Sequence, residues 1–421
     1  MINNLFNFID SSPSPFHASE NAAKLLSSAG FGDVASSASW NSNRKSFLKV
    51  GGSIVAVSAA DKIDPKRVVF NIVGAHTDSP NLRIKPIPDR NNVGYQQLGV
   101  EIYGGALLNS WLDRDLGLSG QVCTKEGQIV KRHLFRSDQP LLRVPQLAIH
   151  LDRNVNEGLT LDRQNHLTPI WGLGESDNYG FRNFLANLIE VDQDSILSWD
   201  AMAHDLTPSS LLGKNQEFYS ASRIDNLASC HAAIEALCSL DSLPENTVAI
   251  AALFDHEEVG SNSNTGAAGP LLESCLERMM LSFDGSRDDF FNALARSWCI
   301  SADGAHAVHP NYADRHDPSH KIELNAGPVI KINANVRYAT QAEGSAHFQM
   351  VCEAVDVPTQ LYSHRSDLAC GSTIGPITAT RLGIRVVDVG SAQLSMHSAR
   401  EMGGSKDPGL LTRSLTSFYQ Y

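Results

Sequence analysis

The sequence predicts an α/β protein whose chain is interrupted by a β-rich insertion, and three stretches carry that prediction. Val248-Ala-Ile-Ala-Ala-Leu-Phe254 is an apolar run bounded by polar residues, the pattern of a buried strand. Arg67-Val-Val-Phe-Asn-Ile-Val-Gly74 is another. Between them, from about 84 to 219, the chain breaks into short strand-like pieces with long loops, and helical spacing returns from 227 onward. A chain of 421 residues exceeds the size at which single cores stop growing. Two domains are therefore expected: a discontinuous one over 1–83 and 220–421, and an inserted β-rich one over 84–219.

The elements follow in order. Ser11-Ser-Pro-Ser-Pro-Phe-His17 opens a helix over about 16–29 that Gly30 closes. Residues 45–59 alternate around Gly51-Gly52, as a hairpin does. Within the insertion, strands are expected at 99–103, 116–123, 127–130 and Val144-Pro-Gln-Leu-Ala-Ile-His150, with a helix at 181–189. Residues 195–206 fit either a strand or a hairpin. The small, polar 260–270 stretch suits a tight turn into a helix over 270–281. Strands are then expected near 298–302, 327–332, 373–376 and 384–390, and helices at 345–356 and 408–419.

Composition excludes several function classes. A content of 42% hydrophobic and 19% charged residues suits a globular protein. The net charge of -12 argues against a general nucleic-acid or anionic-membrane binder, while leaving room for a locally basic pocket. The N-terminus lacks a basic start and a long apolar core, and no run of 18 apolar residues occurs, so neither a signal peptide nor a membrane span is expected. Seven scattered cysteines without a C-x-x-C pair suit reduced thiols in a cytoplasmic protein and make a cysteine-ligated zinc site unexpected. No G-x-G-x-x-G follows an early strand, and 260–270 lacks the order of a phosphate loop.

The chemistry gathers at strand ends. The central strand runs into Asp255-His256-Glu257-Glu258, three carboxylates and a histidine in four positions. Like charges so packed cost energy unless a cation sits among them; otherwise this is a solvated acidic loop. His76-Thr-Asp78 follows the earlier strand, where an imidazole can ligate a metal and a nearby carboxylate can orient the site. Asp225 precedes a helix, as a cap or as a metal carboxylate. Asp303 follows the 298–302 strand, and His397 comes near the end of the chain. Lys331 interrupts an apolar run, as an edge-strand charge or as a substrate anchor. His17 and His150 read more readily as surface or packing histidines than as functional ones.

Taken together these stretches resemble the M18 family of metallopeptidases, the aspartyl aminopeptidases. The marks are Ser-Pro-Ser-Pro-Phe-His at 12–17, Gly-Ala-His-Thr-Asp-Ser-Pro at 74–80 and Ser-Arg-Ile-Asp-Asn-Leu at 222–227. Asp-His-Glu-Glu-Val-Gly-Ser at 255–261, Asp-Gly-Ala-His-Ala-Val-His-Pro-Asn-Tyr at 303–312, Gly-Pro-Val-Ile-Lys at 327–331 and Met-His-Ser-Ala-Arg-Glu at 396–401 complete the set, in family order.

The resemblance implies a three-layer α/β/α catalytic domain holding two divalent ions, usually zinc, with cobalt or manganese as alternatives. It implies His76, Asp225, Glu258, Asp303 and His397 as ligands, Asp225 bridging, Glu257 as general base and Asp78 steadying the metal-bound histidine. It further implies removal of an N-terminal Asp or Glu from peptides with a free amine. Lys331 becomes the candidate for the substrate side chain, with Arg337 and Tyr338 beside it. The inserted module is implied to mediate dimer contacts within a tetrahedral dodecamer, where His150 completes a neighbouring subunit's pocket. The alternatives are a related exopeptidase of broader specificity, or a scaffold that uses metals only for assembly; the latter would be expected to have lost Glu257.

Overall fold

The computed structural model describes residues 2–35, 40, 44–174 and 180–421. The chain divides into two compact units. One comprises Met1–Asp78, Ser209–Met396 and Glu401–Tyr421; the other comprises Ser79–Pro208 and His397–Arg400. The chain thus leaves the first unit at Asp78 and returns at Ser209, rather than near 84 and 219. Local pairing explains the return, because Ser210–Leu212 pairs with Phe218–Ala221, and that strand pairs with Glu401–Gly404.

The first unit carries a sheet of nine strands among the described residues. Their spatial order is Gly32–Asp33, Lys45–Val50, Ser53–Ala59, Thr247–Phe254, Val69–His76, Trp298–Ala302, Arg385–Gly390, Val329–Ile332 and Gln360–Ser363. The hairpin expected at 45–59 forms its Lys45–Val50 and Ser53–Ala59 pair. Successive strand residues face opposite sides, and the core splits accordingly. Val248, Ile250, Ala252 and Phe254 pack with helices Leu271–Ser282 and Arg287–Arg296 on one face. Ala249, Ala251 and Leu253 pack with Ile224–Cys238 and Asp407–Gln420 on the other. Apolar on both faces, the central strands read as uninterrupted hydrophobic runs. The result is a three-layer α/β/α unit.

The second unit carries a six-stranded sheet in the order Ile129–Leu142, Leu116–Glu126, Ile196–Asp205, Asn81–Asn92, Tyr95–Tyr103, Ile170–Leu173. Every pairing in it is antiparallel. Its core includes Leu118, Val122, Phe135, Phe181 and Ala201. The 195–206 stretch resolves as the single strand Ile196–Asp205, and helix Phe181–Leu188 lies where the spacing put it.

Two sequence expectations are corrected. Residues 144–150 form no strand: Val144 is buried, but Leu147 and Ile149 are exposed, and the segment ends in a turn closed by Leu151 N to Ala148 O at 2.8 Å. Pro145 has no N–H to give a ladder. Thr373-Ile-Gly-Pro is not strand but the start of helix Ile374–Leu382. The Thr373 hydroxyl accepts the Gly375 N–H at 3.2 Å, and Pro376 is tolerated in a first helical turn. Helices Ile2–Ser11 and Arg287–Arg296 are additions to the elements that the pattern reveals.

Candidate metal centre

Three neighbouring strands set the site. Thr247–Phe254 and Trp298–Ala302 each pair in parallel with Val69–His76, so all three C-terminal ends reach one edge of the sheet, where open α/β folds place ligand chemistry. Phe254 pairs with His76 and Ser301 with Gly74, which brings His76, the 255–258 turn and Asp303 to one level.

His76 is the hub. Its Nε2 lies 3.2 Å from Asp225 Oδ1, 3.7 Å from Asp303 Oδ1 and 3.9 Å from Glu257 Oε2. One ligand atom from each of His76, Asp225 and Glu258 lies within 4.8 Å of the others. On the opposite ring edge, Nδ1 is 3.0 Å from the Asp78 main-chain oxygen. A carbonyl only accepts, so that contact puts a proton on Nδ1 and turns Nε2 toward the carboxylates.

Asp225 follows the helix N-cap position, held by Arg223 in the left-handed region at φ 58°, and itself has non-helical dihedrals. Its carboxylate faces His76, which favours the cluster over the cap reading. Glu401 Oε2 accepts the Asp225 N–H at 2.9 Å, a link unnoticed in the sequence although Glu401 closes a quoted motif.

The acidic turn divides its labour. Asp255 Oδ1 accepts the His256 N–H at 2.8 Å, and His256 Nδ1 lies 2.9 Å from Ser263 Oγ. Glu257 and Glu258 instead offer their backbone N–H groups to Asp78 Oδ1 and Oδ2, each at 3.0 Å. Asp78 is fully buried. It steadies His76 through its main chain and the two glutamates through its carboxylate.

The electrostatics are those of a crowded anion nest. Burial pushes the Glu257 carboxyl up to about 7; His76 opposes this, while Asp303, Asp78 and Asp225 add to it. Burial works against charge on His76, but Glu257, Asp225, Asp303 and Asp78 together raise its pKa well above the usual histidine range. A divalent cation among these groups would relieve the repulsion and favour every carboxylate's ionised form. Imidazole nitrogen and carboxylate oxygen are donors that zinc takes. The residues fit the ion.

Comparison with known proteins agrees. The model of the family described as Aminopeptidase I zinc metalloprotease (M18) matches residues 8–419. The chain belongs to the M18 peptidase family. A protein of Streptomyces avermitilis named probable M18 family aminopeptidase 2 is 48% identical over 421 residues, covering 99% of this chain and 96% of its own. The fold is also similar to that in the cryo-EM structure of the Ape4 and Nbr1 complex, with a TM-score of 0.95 and 36% identity over 100% of this chain and 85% of that one. The S. cerevisiae mApe1 dodecamer matches with a TM-score of 0.86 and 26% identity over 100% and 96%.

Beside the cluster of this M18 chain, Lys331 is 1% exposed. Its strand pairs with Gln360–Ser363 on one side and Arg385–Gly390 on the other, so the edge-strand reading fails. Lys331 Nζ donates to the main-chain oxygens of Asp303 at 3.2 Å and Gly304 at 3.1 Å, and lies 4.0 Å from Asp303 Oδ2. Tyr338 is buried with its ring centroid 5.1 Å from Nζ, whereas Arg337 is exposed.

The other histidines that the sequence singles out have local surroundings of their own. His17 pairs with the helix cap, Nδ1 to Ser14 Oγ at 2.7 Å. His150 is exposed in a turn of the second unit. His397 also belongs to that unit, with Nδ1 3.1 Å from Gly105 O.

Proposed function

We propose that this M18 chain is a two-zinc aminopeptidase that removes Asp or Glu from peptides with a free N-terminus. The observation that carries the reading is the convergence of His76, Asp225 and Glu258 within 4.8 Å, with Glu257 adjoining. His76, Asp225, Glu258 and Asp303 would hold the ions, with Asp225 as the shared ligand. His397 completes the set on the strength of its motif at 396–401. When bound, the zinc pair supplies Lewis acidity and a water of lowered pKa.

The protein's own groups do the rest. Glu257, about 3.9 Å from His76 Nε2 and outside the proposed ligand set, takes the water proton and delivers it to the leaving amine. Asp78 fixes Glu257 and Glu258 by their backbone, so base and ligand keep separate roles. Lys331 attracts the substrate's side-chain carboxylate: two carbonyls take two of its three N–H donors, and its charge is buried where water screens little. Tyr338 and Arg337 border that position.

The family's assembly extends the reading. The mApe1 relative is a dodecamer by name. We assign the same assembly to this chain, with the unit containing Ser79–Pro208 forming dimer contacts and His150 serving a neighbouring subunit's pocket. Self-association and peptides are then the partners, with the cytoplasm as the location that the scattered cysteines suit.

The test is hydrolysis of Asp-, Glu-, Leu- and Lys-peptides, with free and acetylated N-termini, by zinc-loaded protein. Selective cleavage of free-amine Asp and Glu peptides is expected. Equal cleavage of Leu or Lys peptides would overturn the acidic specificity, and cleavage of acetylated peptides would overturn aminopeptidase action.

A further inference from the structure

Asp388 and the Thr373-Ile-Gly-Pro stretch take no part in the metal cluster, yet together they anchor the wall beside Lys331. Asp388 lies in the Arg385–Gly390 strand and is fully buried. Its Oδ2 accepts the Ala339 N–H at 2.5 Å, and its Oδ1 accepts the Thr373 hydroxyl at 2.5 Å. Its own N–H donates to Thr340 Oγ1 at 2.8 Å. Ser372 Oγ adds a bond to Arg337 O at 3.0 Å.

Through its carboxylate and its own N–H, Asp388 therefore ties residues 339–340 to the start of helix Ile374–Leu382. Tyr338 is carried on the tied segment, 5.1 Å from Lys331 Nζ, and that nitrogen is 4.0 Å from Asp303 Oδ2. The chain also leaves space for the carboxylate. A Cβ on Gly375 would come within 2.4 Å of both Asp388 oxygens, so a glycine is needed there. Burying a carboxylate is costly without hydrogen-bond donors, and these donors come from the two segments that form the wall.

We propose that Asp388 is a positioning residue for the substrate pocket, acting through Ala339 and Thr373 to hold Tyr338 and Arg337 beside Lys331. This rests on the proposed reading of Lys331 and Tyr338 as the pocket. The bonds above run to the wall, so the loss of Asp388 weakens substrate binding more than bond cleavage.

The test uses full-length, zinc-loaded Asp388→Ala, Asp388→Asn and Gly375→Ala, each assayed on the wild type's best free-amine peptide with metal content measured alongside. Asp388→Ala should raise KM about tenfold or more while kcat stays within about threefold, the split expected when binding geometry rather than chemistry is disturbed. Asp388→Asn can still accept from Ala339 and donate to Thr373, so it should restore a KM close to the wild type's. Gly375→Ala keeps every polar group but displaces the carboxylate, and should raise KM as Asp388→Ala does. It carries the test alone if Asp388→Ala does not fold. An unchanged KM in Gly375→Ala, or a fall in kcat with KM unchanged, would overturn the assignment. Absence of acidic preference in the wild type would instead sink the specificity reading, while the KM split still decides Asp388.

Discussion

Asp78 holds Glu258 by its backbone: Oδ2 of the aspartate accepts the Glu258 N–H at 3.0 Å, and Oδ1 accepts that of Glu257 at the same distance. The His76 imidazole rests on the same residue's main-chain oxygen. An amide in place of the carboxylate would accept only one of the two N–H groups and aim its own donor at the other. Asp78→Asn should therefore weaken zinc affinity by about 10- to 100-fold, as loss of a residue that orients metal ligands typically does. Metal titration by calorimetry checks this. Wild-type affinity would show that the clamp does not act on the ligands.

Glu257→Gln preserves shape and removes the proposed base. Turnover should fall by about 100- to 10,000-fold, while metal content and melting temperature stay near the wild type's. Near-normal turnover in a fully metallated variant would remove Glu257 from its role.

Lys331→Met keeps length and burial but discards the charge. Discrimination in kcat/KM between Glu- and Leu-peptides should shrink about 10- to 100-fold, the range of a lost charge-assisted hydrogen bond. Unaltered discrimination would leave Lys331 as a structural tie to the Asp303 and Gly304 carbonyls.

His397→Ala addresses the ligand proposed from the second unit. Zinc per chain should drop, with activity lost in parallel; an unchanged metal count would strike His397 from the proposed set.

Asp407 gives a pH signature away from the centre. Burial pushes its carboxyl up to about 6, against hydrogen bonds from the Asn325 and Gly327 N–H groups. Between about pH 4 and 6 the folded chain holds a proton that the unfolded chain has released, so this group's contribution to stability falls as pH rises. Its full cost, roughly 3 kcal/mol for a rise of that size, is present above pH 6. Asp407→Asn removes the titration. The variant's stability relative to the wild type in urea unfolding should rise between about pH 4 and pH 7. A flat difference would mean that the carboxyl titrates normally.

Much of the fold was legible. The central strands show as apolar runs because both their faces are buried, and the Lys45–Val50 and Ser53–Ala59 hairpin shows through its glycines. Legibility failed where one residue's environment comes from distant chain. Lys331 looks like an edge charge until two strands close around it. The 144–150 stretch looks like a strand until Pro145 is weighed as a missing donor. Asp388 carried no signal at all, since its partners lie about 15 and 49 positions away.

By itself the sequence determined which residue types close each strand, and hence the inventory of imidazole, carboxylates and lysine. That information is local, set by side-chain periodicity and by motif. Only the tertiary structure decided how the inventory is shared out. Parallel pairing brought His76 level with the 255–258 turn. The backbone of that turn then sent Asp255 and His256 toward each other and Ser263, and left Glu257 and Glu258 to Asp78. Hydrogen-bond partners far apart in the chain are chosen by strand order, and strand order is a property of the whole core.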